Sequence, residues 1–225
     1  RPRLRYVEQR VRRTGDQGHR RIFVVFQRVT AVPLGDGVAP HPLVGWQAAF
    51  DRTAEDLGKS GFELVPVDIS PLLEVAQMLY DGAFVAERYT AVGAFIDAHP
   101  DEVDPTVGKI ISSARDIPAH KLYADFEVLD AQRVISNKLF AEIDALILPT
   151  TTFHPTLADL VAEPIAANSR LGRFTNFANL LDLAAIAVPA GRVGPEWFGV
   201  QFVGAAFSDR KLADIAKSVD VGVNV

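Results

Sequence analysis

The sequence predicts an α/β fold with a mixed sheet flanked by helices, on three observations. Ala145-Leu146-Ile147-Leu148 is wholly apolar and ends at Pro149, as a strand buried on both faces does. Residues 46–68 read as a helix, a glycine turn and a strand, which is one αβ unit. Two further strand-like runs lie between residues 185 and 203, so strands cluster after residue 144 while helices dominate before it.

Taken in order, residues 1–21 are polar and rich in Gly and Arg, a composition that favours poor order. Ile22 to Phe26 is short, β-branched and aromatic, and predicts a buried strand. Pro33 to Pro42, interrupted by Gly35 and Gly37, predicts a loop. Trp46, Phe50, Thr53, Ala54 and Leu57 have helical spacing, and Gly58 to Gly61 ends that helix. Phe62 to Asp68 alternates like a strand. Ser70 then reads as an N-cap ahead of Pro71, whose fixed φ suits a helix start.

The helix that follows extends, with a break at Gly82, to His99-Pro100. Asp104-Pro105 opens a short helix through Ile111. Leu122, Phe126, Leu129, Val134, Leu139 and Phe140 mark a long amphipathic helix before Ile143. Residues 152–175, with Pro155, Pro164 and Gly172, read as a long irregular excursion, the kind of loop that carries function. A short helix over 176–183, strands at 185–189 and 198–203 and an amphipathic helix over 209–219 complete the chain.

The 225 residues are 48% hydrophobic, enough for one sizeable core or a large part of a bigger domain. The net charge of -5 argues against nucleic acid and anionic membranes as partners, and no apolar run reaches the roughly 18 residues of a bilayer span. With no cysteine there is neither a disulfide framework nor a thiolate metal site. No signal peptide is visible, so a cytoplasmic location is the expectation. Nine of the first 28 residues are Arg, against Glu8 and Asp16 alone, without the aromatic interleaving of a nucleic-acid arm. The chain opens on Arg1 rather than Met, which reads as a processed, trimmed or fragmentary sequence. It divides into an Arg-rich segment, 1–30, and a main unit, 31–225.

Leu79 to Tyr89 holds the candidate site. Tyr80 and Arg88 are eight positions apart, about 80° around a continuous helix axis, so both could reach one cleft. Arg is the side chain best shaped to grip a carboxylate, through two parallel hydrogen bonds. The same residues also fit a surface helix with a solvated Arg88 and a half-buried Tyr80. Elsewhere the motifs are missing. His19, His41, His99, His120 and His154 lack metal-ligand spacing, and there is no Walker A, G-x-G-x-x-G or G-x-S-x-G stretch. No metal or cofactor is expected.

Asp144-Ala-Leu-Ile-Leu-Pro-Thr-Thr151, followed some way on by Ala185-Ile-Ala-Val-Pro-Ala-Gly191, resembles the second half of the amidase signature family. Residues 79–89, Asn168 to Asp182 and Phe198-Gly-Val200 narrow the resemblance to its allophanate hydrolase branch, over residues 36–212. One departure lies within the best motif: this chain has Gly82-Ala83-Phe84 where the family usually has Gly-Pro-Trp, so a different local backbone is expected.

The resemblance implies an incomplete amidase fold, its second half only, and hydrolysis of allophanate to ammonia and carbon dioxide during urea breakdown. It gives Tyr80 and Arg88 a substrate-binding role: Arg88 holds the carboxylate of this small urea-like molecule and Tyr80 orients the amide end. The family's Ser-Ser-Lys catalytic array has no counterpart among these residues. Lys59, Lys109, Lys121, Lys138, Lys211 and Lys217 lie outside any such context, and Ser112-Ser113 lacks flanking glycines. The expectation is therefore a chain with no catalytic residue of its own. A non-catalytic remnant acting in binding or association, and a general amidase or amidotransferase subunit, are the alternatives. Association as a homodimer stays open.

Overall fold

A computed structural model describes residues 21–24 and 44–219 of the chain. The Arg-rich start through residue 20, Val25-Phe26 and the loop expected at 33–42 lie outside the described residues. In chain order the elements are β1 (Arg21–Val24), α1 (Val44–Lys59), β2 (Glu63–Pro66), α2 (Ser70–Asp81), α3 (Val85–Ala98), α4 (Pro105–Ser112), α5 (Ala119–Glu142), β3 (Ala145–Pro149), α6 (Leu157–Ala162), α7 (Pro164–Leu171), α8 (Asn176–Leu180), β4 (Ala184–Val193), β5 (Glu196–Gly204) and α9 (Asp209–Ala216).

The strands form one sheet in the order β2-β1-β3-β5-β4. β1 runs parallel to both β2 and β3, whereas β5 is antiparallel to β3 and to β4, so the sheet is mixed. β1 sits between β2 and β3, so the sheet reaches into the segment 1–30.

β3 explains why its sequence is apolar without alternation. Ala145 and Ile147 enter a core formed with Trp46, Phe50 and Leu57 of α1, Phe198, Val200 and Phe202 of β5, and Leu212 and Ile215 of α9. Leu146 and Leu148 point the other way, into a core with Leu72 and Val75 of α2, Leu129 and Phe140 of α5, and Phe177 of α8. A strand with helices on both faces must be apolar at every position, since successive side chains alternate between them. Each fully buried Leu or Ile here contributes on the order of 1.5–3 kcal/mol. Gln201 is the polar exception on β5, and its amide donates to the Phe174 carbonyl at 2.6 Å.

Several local expectations are corrected. Ser70 is not the N-cap of α2. That position belongs to Ile69, Ser70 is already helical, and its N–H is taken by the Asp68 carboxylate at 2.9 Å. Residues 152–175 are largely helical rather than irregular. Thr156 and Asp159 form a capping box that opens α6, and Pro164 lies in the first turn of α7. Pro164, which reads as a loop marker, is a helix-start signal here, because the first turn has no use for the missing N–H. Along α5 the buried line runs through Asp125, Leu129, Ser136 and Phe140, while Phe126 and Val134 are exposed. Asp104 caps α4 through the N–H groups of Thr106 and Val107, as the Asp-Pro pair predicts.

The expected break at Gly82 is present. Gly82 leaves the helix at φ -90°, ψ 177°, its N–H still bonded to the Met78 carbonyl, and α3 restarts at Val85. A Cβ on Gly82 would meet the Met78 oxygen at 2.4 Å and an Asp125 carboxylate oxygen at 3.1 Å. Close approach, not a left-handed φ, is what requires glycine there. Gly82→Ala is expected to destabilise the chain by about 1–3 kcal/mol. An unchanged urea midpoint would show that the joint relaxes freely.

Candidate functional site

The two residues picked out by sequence flank that joint. Tyr80 lies in the last turn of α2 and Arg88 in the first turn of α3, so they occupy separate helices and the single-axis angle between them does not apply. Tyr80 is 37% exposed and Arg88 is half-buried. Neither the Tyr80 hydroxyl nor the Arg88 guanidinium makes a hydrogen bond or ion pair with another described residue. Neighbouring Arg115 and Tyr89, by contrast, are engaged. The Arg115 guanidinium donates to Asp97 and, at 3.0 Å, to the Tyr89 hydroxyl, which itself donates to Asp97 at 2.6 Å. An Arg whose donors meet no described residue is chemically suited to an anionic, hydrogen-bonding ligand.

What holds the joint comes from α5. Asp125 is 7% exposed, and one carboxylate oxygen accepts the Ala83 N–H at 2.7 Å. The other accepts from Lys121, one helical turn earlier. Phe84 follows the joint, buried among the α2 and α5 side chains, with its ring edge-on to Phe126 at 5.5 Å. The departure from Gly-Pro-Trp has a structural consequence here. Ala83 has an N–H to donate to the buried carboxylate, and a proline at that position has none. Sequence reasoning missed Asp125 because a polar residue in an amphipathic helix reads as solvent-facing.

Burial alone would raise the Asp125 pKa. The hydrogen bond from Lys121, the Ala83 N–H and the Lys121 charge together outweigh it, and the net shift is downward. A lowered folded pKa adds stability that is fully present above the unfolded value of about 3.9 and is lost as pH falls through the folded value. The parent's margin over Asp125→Asn in urea midpoint should therefore be steady near neutrality and shrink below about pH 4. A margin that does not vary with pH would show that the carboxylate charge contributes nothing.

The end of β3 is tied down on several sides. The Thr150 N–H donates to the Gly199 carbonyl at 3.1 Å, and the Thr152 hydroxyl to the Arg170 carbonyl at 3.0 Å. The Arg170 guanidinium lies over the Phe153 ring, 5.1 Å from its centroid, and His154 packs edge-on against Trp46 while its Nδ1 is 3.4 Å from Glu196. The Asn168–Asp182 stretch spans α7, α8 and the turn into β4. Asp182 closes α8 at φ 56°, a left-handed position that Asp tolerates better than most residues.

Four of the six lysines are held in ion pairs with aspartates. Lys59, Lys121, Lys211 and Lys217 pair with Asp56, Asp125, Asp144 and Asp214. The Ser113 hydroxyl donates to the Ile110 carbonyl within its own helix region. Among the described residues, no helix is long and apolar enough to cross a membrane.

A mixed sheet between helical layers, closed by the Leu-Pro-Thr strand end and the β4–β5 hairpin, defines the class. The amidase family profile matches residues 29–213, and the chain belongs to that family. Urea amidolyase of Saccharomyces cerevisiae is 39% identical over 172 residues, which cover 74% of this chain and 9% of that protein. Urea amidolyase of Lachancea kluyveri is 38% identical with the same coverage. The solved allophanate hydrolase of Kluyveromyces lactis superposes with a TM-score of 0.78 at 34% identity, covering 89% of this chain and 32% of that one. This chain therefore spans under a tenth of the length of the two urea amidolyases and about a third of the solved hydrolase.

Proposed function

We propose that residues 31–225, with β1 supplied by the preceding segment, form the substrate-recognising part of an allophanate-hydrolysing amidase. Arg88 grips the carboxylate of allophanate through its planar fork, and the Tyr80 hydroxyl orients the amide end. The observation that carries this reading is an Arg88 guanidinium without a hydrogen-bond or ion-pair partner among the described residues and an exposed Tyr80 on the other side of the Gly82 joint, in a chain resembling allophanate hydrolase. Bond cleavage needs a nucleophile, a base and an oxyanion site, and the Ser-Ser-Lys array that supplies them in the family has no counterpart in these residues. Alone, the chain then acts in binding. Joined to the N-terminal half of the Kluyveromyces lactis domain, it should release ammonia from allophanate faster than from a neutral amide. A folded, monodisperse hybrid that shows no preference for allophanate would refute the assignment.

A further inference from the structure

We propose that Asp125 is a positioning residue, whose bond to the Ala83 N–H sets the angle between α2 and α3 and thereby the spacing of Tyr80 and Arg88. This rests on reading those two residues as the substrate-binding pair.

Besides the Asp125 bond, the joint is held by the burial of Ala83, Phe84 and Val85. Neither the end of α2 nor the start of α3 has a side-chain cap, and α3 begins on the backbone bonds Ala86 N–H to Ala83 O and Glu87 N–H to Phe84 O. Among the described residues, the Asp125 carboxylate reaches this backbone from 42 positions along the chain, 2.7 Å from the Ala83 nitrogen. It lies where a Gly82 side chain would project, so the Gly and the Asp fit each other. Lys121 holds the second oxygen and keeps the carboxylate turned toward the joint. A buried charge is costly unless its hydrogen bonds are made, so this arrangement favours one bend over neighbouring ones. Arg88 follows four residues after Phe84 and Tyr80 precedes Gly82 by two, so a small change of bend alters their separation.

The chain has no cysteine, so nitroxide labels can be placed by single substitutions. Gln77 on α2 and Ala91 on α3 are exposed, and Gln77→Cys with Ala91→Cys reports the distance across the joint. In the full 225-residue chain, pulsed dipolar spectroscopy should give one narrow distribution for the parent and for Asp125→Asn, whose amide oxygen still accepts the Ala83 N–H. Asp125→Ala should broaden or shift it. Asp125→Leu, which fills the site without an acceptor, replaces it should Asp125→Ala lose its helical dichroism.

Calorimetry with malonamate, an amide carrying a carboxylate, provides the second arm. Asp125→Ala should weaken its Kd about tenfold as the competent bend becomes a minor population, and Asp125→Asn should retain it. A parental distance distribution in Asp125→Ala, whatever its melting temperature, would overturn the proposal, because Asp125 would then only pack. So would a broadened distribution with unchanged malonamate affinity. If Arg88→Lys binds malonamate as well as the parent does, the binding-pair reading fails, while the distance arm still judges the Asp125 contact separately.

Discussion

Arg88→Lys in the completed hybrid is expected to raise the KM for allophanate about tenfold to a hundredfold with little change in kcat. The charge survives this substitution, so a purely Coulombic role would survive with it. What disappears is the planar fork with its two parallel N–H donors, and hydrogen bonds to charged groups are worth about 1.5–3 kcal/mol. The carboxylate of allophanate is not the group attacked when the amide is cleaved, so in that step the grip acts on the ground state and the transition state alike. Loss of such uniform binding appears in KM. Propionamide has no carboxylate and should be hydrolysed nearly as before. Tyr80→Phe removes one hydroxyl and should cost about 0.5–1.5 kcal/mol on allophanate. Equal losses on both substrates for Arg88→Lys would make Arg88 structural, and the assignment would retreat to an unspecified amidase.

The 225-residue chain by itself should release no ammonia from allophanate above the uncatalysed rate. Enzymes typically accelerate their reactions at least about a millionfold, and that acceleration needs an activated nucleophile and preorganised oxyanion donors. Four of the lysines are held by aspartates, and the Ser113 hydroxyl is spent on the Ile110 carbonyl. Binding groups alone do not supply the missing chemistry. Ammonia release that copurifies with the chain and is abolished by a single substitution within it would overturn this.

Much of this architecture is legible locally. The uninterrupted apolar run of β3 announces burial on both faces, and Ala145 and Ile147 do part from Leu146 and Leu148 into separate cores. Gly82 marks a break through its low helix propensity, and Asp104-Pro105 a helix start through a side-chain cap and a fixed φ, both effects of near neighbours in the chain. The same local reading failed at Pro164, which lies in the first turn of α7. A proline signals the end of one element and the start of another equally well, and at Pro164 no side-chain cap marks which it is.

Tyr80 and Arg88 are legible as a spacing and take a binding role from the resemblance alone, while the single helix axis that the spacing assumes is broken between them. Composition and motif content by themselves determined the mixed α/β class, the break at Gly82 and the lack of a Ser-Ser-Lys array in these residues. Only the tertiary structure decided that the buried line of α5 runs through Asp125 rather than Phe126, and that the carboxylate meets Ala83. The reason is physical. Helix and strand periods are set by bonds between near neighbours, whereas a contact across 42 positions depends on how α2, α3 and α5 settle against one another.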